Sequence, residues 1–550
     1  MATPTKEITP VHVEMQPAPM SMPGDDQPPT KAEPVVTSAF AHLPWQTLVR
    51  LFWRNILLAL GAFTGAMFDG YGITMPKSIA ANASFIAYFG TTKTATGAVA
   101  LNPQFVAGWN GIQAGMIIVG LVTAGFVSDR FGRKTNMYLM SALFTIAIVV
   151  GMTARHWWVF LIARAFNGVA AGFAQATLTC YVAEIAPVGL RGNLLTGYSF
   201  FIALGQLAGN VGLYIIQKHK LNWRNALYSE LVFLGLFLPA VVLAPESPYY
   251  YANRGDHANA KRMLQRIHGR VPGYDVEREY AVMAAEVAHN ARIAQQSAAL
   301  SWTAVLRDPV HLRRTWISIL PLTTQQWSGL PLVLNYLSYF FSTAGVANPF
   351  MTTVAQSVIL LAMVVVAALF LDRIGRRRLL LVSESVCFVT LIFMGMIGTL
   401  AYRNNNNVLT PRMADAITAL ACIWVAAYAL GPAALGYVMV ADTATAVLRQ
   451  KTTGIASAVN SAFGLILTYC TPLMLSAPAN WGIRTAYFYG PLCLIGVALI
   501  WLTVPETRGR TNAEMDELFE RRVPTRQFAK AKTGTEYYVE MANNSTVTAV

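Results

Sequence analysis

Long apolar runs alternate with short polar stretches along most of the chain. An apolar run of about 20 residues crosses the hydrocarbon core of a bilayer as a helix. Twelve runs of this kind occur, and we predict that each forms a membrane-spanning helix: 55–75, 107–127, 136–154, 157–183, 193–216 and 225–243 in the first half, and 315–342, 352–371, 379–401, 415–440, 453–475 and 485–504 in the second. The pattern predicts an all-α membrane protein of two six-helix bundles.

Three polar segments divide this pattern into domains. Residues 1–50 and 506–550 are predicted to be cytoplasmic tails, the first of them disordered, and residues 1–40 show no signal peptide. Residues 247–313 are rich in Arg, Lys, Glu and Ala, which predicts a linker of amphipathic helices on the cytoplasmic surface. A small soluble domain is the alternative for this linker, although it has few large apolar residues for a core. The two bundles then occupy residues 51–246 and 314–505.

The composition supports a membrane protein and excludes several other classes. Hydrophobic residues make up 55% of the chain and charged residues 12%, against about 25% charged in a soluble domain. The net charge of +14 is concentrated in short loops, as the positive-inside rule expects of cytoplasmic loops. We therefore expect no nucleic-acid partner. The five cysteines lack metal-ligand spacing, and no P-loop or nucleophile elbow is present, so we expect no metal, no cofactor and no enzyme activity.

A short motif occurs twice, once in each half. The stretch "GFVSDRFGRK" (125–134) follows the second apolar run, and "LFLDRIGRRR" (369–378) follows the eighth. A six-helix unit used twice predicts a substrate site near the midplane, between the repeats. We predict that the charged residues of these two loops gate the transition between conformations, namely Asp129, Arg130, Arg133, Asp372, Arg373 and Arg376. The alternative is that the basic residues only set topology.

Asp69 is the one acidic residue of the first apolar run. A charge at the centre of a membrane helix costs roughly 2.5–3.5 kcal/mol on insertion scales, and such residues usually face a partner or a water-filled path. This position therefore predicts a functional carboxyl group.

Several further motifs resemble those of the sugar porter family of the major facilitator superfamily. They are "RAFNGVAAGF", "YVAEIAPVGLRG", "PESPYYY", "QQWSG" and "PETRGRT", and together they cover nearly the whole chain. The stretches "YFFSTAGVANPF" and "TPLMLSAPANWGIRTAYFYGPLCLIG" are similar to fungal α-glucoside (maltose-type) permeases. The resemblance implies the major facilitator fold. It also implies alternating-access transport of a sugar, oligosaccharide, polyol or related hydroxylated small molecule, with a proton as the second partner.

For proton coupling, the resemblance points to the first and fourth spans. The family's first-span Asp falls on Gly72, and Asp69 lies about one turn earlier on nearly the same helix face. Arg164 occupies the position of the family's fourth-span Arg. We predict that Asp69 and Arg164 form a buried pair that opens when Asp69 takes up a proton. A static pair in a uniporter is the alternative.

For the substrate and the gate, the resemblance implies two further sets of residues. The substrate set is Ser199, Gln325, Gln326, Ser328, Asn335, Tyr336, Tyr437 and Asn460. Interhelical hydrogen bonding alone is the alternative for the glutamine pair, and core packing is the alternative for Tyr437. The gating set gains Glu184, Arg191, Asp442 and Arg449. We expect Glu184 to pair with Arg191 or with an Arg of the 125–134 loop.

Other expectations concern the setting of the protein. Asn82-Ala83-Ser84 fits a glycosylation acceptor. We expect a monomer in the plasma membrane with both termini in the cytoplasm. The competing functions are a facilitator or an exporter of another metabolite, favoured by Gly72, Pro331 and Ser199, and a non-transporting nutrient receptor on the same fold.

Overall fold

The computed structural model describes residues 38–40, 43–93, 99–299, 308–344, 346, 349–405, 409–445, 447–476, 479–528, 531 and 533–534. This part of the chain is almost entirely helical. It includes one small hairpin, formed by β1 (Thr92–Lys93) and β2 (Val99–Ala100). The predicted tails lie largely outside the described residues.

The first bundle contains six long helices and two short ones. The short helices are α1 (Trp45–Leu51) and α3 (Ala83–Phe89). The long helices are α2 (Trp53–Ser78), α4 (Pro103–Phe131), α5 (Arg133–Met152), α6 (Trp157–Ile185), α7 (Arg191–Lys218) and α8 (Arg224–Leu243). All six are long and apolar enough to cross a membrane, which agrees with the six predicted spans.

The described part of the linker after the first bundle contains three helices. These helices are α9 (Pro248–Asn253), α10 (His257–His268) and α11 (Val276–Ala299). His268 at the end of α10 accepts a hydrogen bond at Nδ1 from the side-chain amide of Asn55 in α2, over 3.0 Å. Burial lowers the pKa of His268 to about 4, so the ring is neutral when the linker is docked.

The second bundle repeats the pattern with two interruptions. Its helices are α12 (Pro309–Trp327), α13 (Leu337–Thr343), α14 (Pro349–Ile374), α15 (Arg376–Asn405), α16 (Pro411–Tyr428), α17 (Ala434–Thr443), α18 (Arg449–Leu475) and α19 (Ala486–Thr503). Wide π-helical turns separate α12 from α13 (Pro331–Asn335) and α16 from α17 (Ala429–Ala433). In the described residues eleven helices meet the length and hydropathy of a span; the seventh predicted span is the exception because it is broken.

The break in the seventh span has a local cause. Gly329 has a φ angle of 92°, in the left-handed region, and Pro331 cannot donate a backbone hydrogen bond. α12 therefore ends at Trp327 and the chain continues through the π-helical turn. The side chains after this turn therefore point in other directions around the helix axis than they would in an unbroken α-helix.

A short helix, α20 (Asn512–Glu520), packs beneath α12 after the last span. Arg314 of α12 donates to Asp516 over 2.6 Å, and Phe528 is fully buried in the same cluster. The predicted C-terminal tail therefore packs against the second bundle as far as Phe528.

Glycines allow α2 and α7 to approach each other closely. A Cβ atom at Gly205 would lie 2.0 Å from the carbonyl oxygen of Met67, and one at Gly70 would lie 2.2 Å from that of Ile202. Small residues at helix crossings are typical of membrane bundles, where packing drives association. This contact fixes the relative position of two helices that form one wall of the central cavity.

Candidate functional site

A cavity of about 1050 Å³ lies between the two bundles. Helices α2 and α7 form its wall on one side. The wide turn before α13, helix α14 and the α16–α17 region form the other. Its polar lining consists mainly of amides and hydroxyls: Thr74, Lys77, Ser78, Asn193, Thr196, Ser199, Gln206, Asn210, Asn335, Thr353, Gln356, Ser357, Tyr428 and Tyr437.

The cavity opens towards the two repeated loops and is closed at its other end. Small residues line it near the loops, at Gly192, Ala368 and Ala441. At the far end the bundles meet. Asn210 donates to Ser357 over 2.8 Å, and a shared hydrophobic cluster seals the surroundings of this contact, with Met75 and Ile79 of the first bundle and Leu332, Val333 and Phe340 of the second. The arrangement is that of a transporter open to one side.

Three of the eight predicted substrate residues line the cavity. Ser199 lies on α7, Asn335 ends the wide turn after α12, and Tyr437 lies on α17. The side of Tyr437 that faces the cavity is open, since the residue is 56% exposed. Core packing, the alternative for this tyrosine, is therefore not what the structure shows.

Gln325 and Ser328 hold helices together and do not line the cavity. The Gln325 amide donates to the carbonyl of Pro432 over 2.7 Å, which joins α12 to the wide turn before α17. Ser328 donates to the carbonyl of Gln325, and its own carbonyl accepts from the Trp424 indole over 2.8 Å. Interhelical hydrogen bonding, the alternative for Gln325, is thus what the structure shows.

Three other predicted substrate residues also lie away from the cavity lining. Tyr336 is fully buried, and its hydroxyl donates to the Thr468 carbonyl over 2.8 Å. Gln326 packs against Gly464 of α18, and Asn460 lies on the same helix with its buried side-chain oxygen unpartnered among the described residues. The break at Gly329 and Pro331 explains the placement of Tyr336, because this residue directly follows the wide turn.

Asp69 and Arg164 are not paired, contrary to the prediction. Asp69 is 0% exposed and accepts one hydrogen bond, from the Gln175 amide over 3.4 Å. Gln175 follows Arg164 by eleven residues of α6, or about 16 Å of helix rise. Asp69 therefore lies at a different depth from Arg164. Its second carboxyl oxygen is buried and unpartnered among the described residues.

The hydrogen-bond partner of Arg164 is a neutral amide. This guanidinium is 2% exposed and donates to the Gln113 side-chain oxygen, and Gln113 in turn donates to Asn167 over 2.7 Å. A Cβ atom at Gly72 would lie 3.3 Å from the Asn167 amide nitrogen. The position that the resemblance assigns to a proton-carrying Asp thus faces amides, with no carboxylate of its own.

The first repeated loop holds a compact ion-pair network. Gly132 has a φ angle of 96°, and Arg133 makes a two-pronged contact with Glu184, over 2.7 and 3.0 Å. Glu246 accepts from the backbone N–H groups of Arg133 and Lys134, which caps α5. The predicted pairing of Glu184 with an Arg of this loop is confirmed.

The other charged residues of this loop are less enclosed. Asp129 is 3.9 Å from Arg133, with its side chain 82% exposed. Arg130 contributes its backbone carbonyl, which accepts from the Tyr250 hydroxyl over 3.3 Å. Arg191 does not pair with Glu184; it pairs with Glu286 of the linker over 3.3 Å. Arg191 therefore ties α7 to the linker.

The second loop repeats the same network. Gly375 has a φ angle of 98°, Arg376 pairs with Asp442, and Glu506 accepts from the Arg376 backbone over 2.9 Å. The side chains of Asp372 and Arg373 lie outside the described residues. Arg449 begins α18, and no ion pair in the described part of the chain includes it. The Arg133–Glu184 pair lies within the first bundle, and the Arg376–Asp442 pair lies within the second.

Residues 57–519 match the family described as "Sugar (and other) transporter". The chain belongs to this family. It is 28% identical over 495 residues to the MFS transporter fmqE of Aspergillus fumigatus, covering 87% of this chain and 88% of that protein. It is 25% identical over 415 residues to the H(+)/hexose cotransporter 1 of Parachlorella kessleri, covering 74% and 75%.

The fold is also that of a solved member of the major facilitator superfamily. The inward open xylose transporter XylE from E. coli superimposes with a TM-score of 0.66 at 23% identity, covering 84% of this chain and 99% of that one. The protein is thus a multi-pass sugar-family transporter and not an enzyme. The likeness to maltose-type permeases stays a prediction.

Sequence reasoning missed several polar groups of this transporter. Lys77 lines the cavity, although the predicted first span ended at residue 75. The apolar run resumes at Ile79, and that signal could have placed Lys77 inside the membrane. Glu230 and Glu384 are buried within α8 and α15, and each could have been found, like Asp69, as a lone carboxyl in an apolar run.

Asn82, the expected glycosylation acceptor, is buried in the structure. Asn82 is 1% exposed and caps α3, accepting from the backbone N–H groups of Ser84 and Phe85. Its amide nitrogen, the atom that a glycan would modify, donates to Gln217 over 3.1 Å. The side chain is therefore inaccessible to a glycosylating enzyme in the folded protein.

Proposed function

We propose that the protein carries a sugar, oligosaccharide, polyol or related hydroxylated small molecule across the plasma membrane by alternating access, with a proton as the coupled ion. The cavity between the bundles is the observation that carries this proposal. Its amides and hydroxyls come from both bundles, and each amide offers a donor and an acceptor to hydroxyl groups. A few placed polar groups in an otherwise apolar wall suit a small polar ligand.

The repeated loops supply the gate in this mechanism. With the Arg133–Glu184 and Arg376–Asp442 pairs each inside one bundle, the bundles can separate at the loop end. Closing that end brings the two loops together, while the contacts at the opposite end break. We propose that the loops face the cytoplasm, as the positive-inside rule favours, and that the conformation described is open to the inside.

Asp69 is the proposed proton carrier. Its carboxyl group is buried in the first span with one oxygen unpartnered among the described residues, and a buried carboxyl without a counter-ion is least costly when it carries a proton. The H(+)/hexose cotransporter 1 among the relatives supports proton coupling for the family. In this mechanism Arg164 is held by its hydrogen bond to Gln113 and orients the adjoining part of α6. It forms no ion pair with Asp69.

A facilitator is the second candidate. Gly72 provides no carboxyl group at the position that the resemblance assigns to the proton carrier, and the hydrogen bond of Arg164 goes to a neutral amide. This arrangement would also suit a carrier that moves its substrate without a proton.

Substrate-induced pH change in cells separates the two candidates. The chain is expressed in a yeast that lacks its own maltose and hexose carriers, and glucose, maltose, trehalose, sucrose, myo-inositol and quinate are added to lightly buffered suspensions. Transient alkalinisation that is lost in Asp69→Asn supports symport through Asp69. Labelled uptake without alkalinisation supports the facilitator, and absence of both signals for every compound contradicts the proposed substrate class.

A further inference from the structure

One group in the cavity does not fit a neutral substrate. Lys77 is the only charged residue among the described residues that line the cavity, and no carboxylate lines it. The other lining groups are amides, hydroxyls and apolar side chains. An uncharged sugar supplies no counter-ion to an ammonium group in the membrane, where an uncompensated charge is costly.

The surroundings of Lys77 compensate its charge only in part. Its ammonium group donates one hydrogen bond, to the Asn335 side-chain oxygen over 3.3 Å, although it has three protons to donate. No ion pair within 4.0 Å of Lys77 occurs among the described residues. Asp69 lies two helical turns earlier on α2, while Arg164 adds a like charge. Glu230, the carboxylate whose charge interacts with Arg164, belongs to α8 outside the cavity lining.

We propose that the substrate is a hydroxylated monocarboxylate, such as a sugar acid, and that Lys77 binds its carboxylate. This inference rests on the proposed transport function and specifies the substrate class. A carboxylate completes the coordination of Lys77 with a charge-assisted hydrogen bond, which is stronger than a bond between neutral groups. One ammonium balances one carboxylate, whereas a phosphate ester brings about two negative charges and would leave one buried without a partner.

The groups around Lys77 suit the rest of such a molecule. Asn335 presents an amide beside the ammonium group. Ser78 donates to Asn210 over 3.2 Å, and Asn210 donates to Ser357 over 2.8 Å. This chain of short polar side chains crosses from one bundle to the other next to the carboxylate position. Hydroxyl groups of the substrate can replace one of the partners in these hydrogen bonds and so connect the two bundles.

Matched substrate pairs test the charge requirement. The full chain is expressed in the carrier-deficient yeast, and uptake of labelled D-glucuronate is compared with D-glucose, D-galacturonate with D-galactose, and quinate with myo-inositol; glucose 6-phosphate is the phosphate probe. We expect the acid of at least one pair to be taken up in preference to its neutral partner. Uptake of neutral partners alone overturns the inference and leaves the transport function intact. Preference for glucose 6-phosphate overturns the carboxylate assignment.

Lysine variants test the residue. Lys77→Met keeps the length and removes the charge, and it should lower uptake of the preferred acid about 10- to 100-fold, as loss of a hydrogen bond to a charged group does. Lys77→Arg should retain a measurable part of the uptake. Lys218→Met is the matched control, because Lys218 is exposed at the end of α7, and it should leave uptake unchanged. Acid uptake that survives Lys77→Met overturns the role of Lys77.

A binding measurement on the purified protein detects substrate binding when a variant misfolds or when uptake is too small to measure. The purified wild-type protein in detergent is heated with each unlabelled acid or its neutral partner, and the thermal midpoint should rise with at least one acid and not with its partner. A rise with the neutral partners alone contradicts the inference. Neither uptake nor a shift for any compound, from protein that elutes as a single folded species, contradicts both the inference and the proposed function.

Discussion

Gly205→Ala should destabilise the protein through the α2–α7 contact. The added Cβ atom would lie 2.0 Å from the Met67 carbonyl oxygen and 2.8 Å from its carbonyl carbon, whereas ordinary contacts begin near 3.4 Å. These neighbours are backbone atoms, so they cannot rotate away and the helices must separate by about 1 Å or more. Overpacking of this kind costs about 1–3 kcal/mol.

Gly235→Ala is the control, and its expected effect on stability is opposite to that of Gly205→Ala. Gly235 lies in α8, and no heavy atom would come within 4 Å of its added Cβ. Ala is favoured over Gly inside a helix by roughly 0.5–1 kcal/mol. Gly235→Ala should therefore leave stability unchanged or raise it slightly.

Thermal unfolding of the detergent-purified variants measures the difference. A loss of 1–3 kcal/mol corresponds to a fall of roughly 2–10 °C in the midpoint for a unit the size of one bundle. Uptake of any substrate should fall as well, because α2 and α7 form one wall of the cavity. A Gly205→Ala midpoint equal to or above that of Gly235→Ala would refute the reasoning.

Three further predictions concern the gate, the cap and the linker. Glu184→Gln should abolish uptake and cost about 3–5 kcal/mol, since it leaves the Arg133 side chain, 8% exposed, without its carboxylate; a normal midpoint and normal uptake would contradict this. Asn82→Gln should not change the electrophoretic mobility, and glycosidase treatment should not change that of the wild type. Because burial lowers the pKa of His268 to about 4, its unfolded form binds a proton at higher pH, and docking of α10 should weaken as the pH falls from about 6.5 to 4. Amide hydrogen exchange of α10 should rise in that window, and a flat profile would exclude the effect.

The span pattern and the repeated loops could be predicted because they depend on local sequence. Length and hydropathy locate a membrane helix regardless of its neighbours, and the DRxGR motif marks the same turn in both bundles. The pairing of Glu184 with Arg133 also followed from the sequence, since both residues were expected at the loop end.

Which side chains line the cavity depends on the rotation and depth of each helix, and the sequence alone does not give these. The break at Gly329 and Pro331 changes the direction of the side chains that follow it, so Asn335 lines the cavity and Tyr336 is buried. Asp69 and Arg164 lie on neighbouring helices, but Asp69 contacts α6 at Gln175, eleven residues after Arg164. Lys77 was treated as lying beyond a span that in fact continues to Ser78.

The contacts between the bundles at the closed end differ in kind from those at the loop end. Among the described residues the closed end is joined by apolar packing and by hydrogen bonds such as Asn210–Ser357, and no ion pair crosses it. Dissolved ions screen exposed charges but act little on such contacts. Ionic strength should therefore alter the populations of the conformations chiefly through the loop end, where charged side chains such as Asp129, 82% exposed, meet solvent. Temperature should act chiefly through the closed end, because the strength of apolar packing changes with temperature.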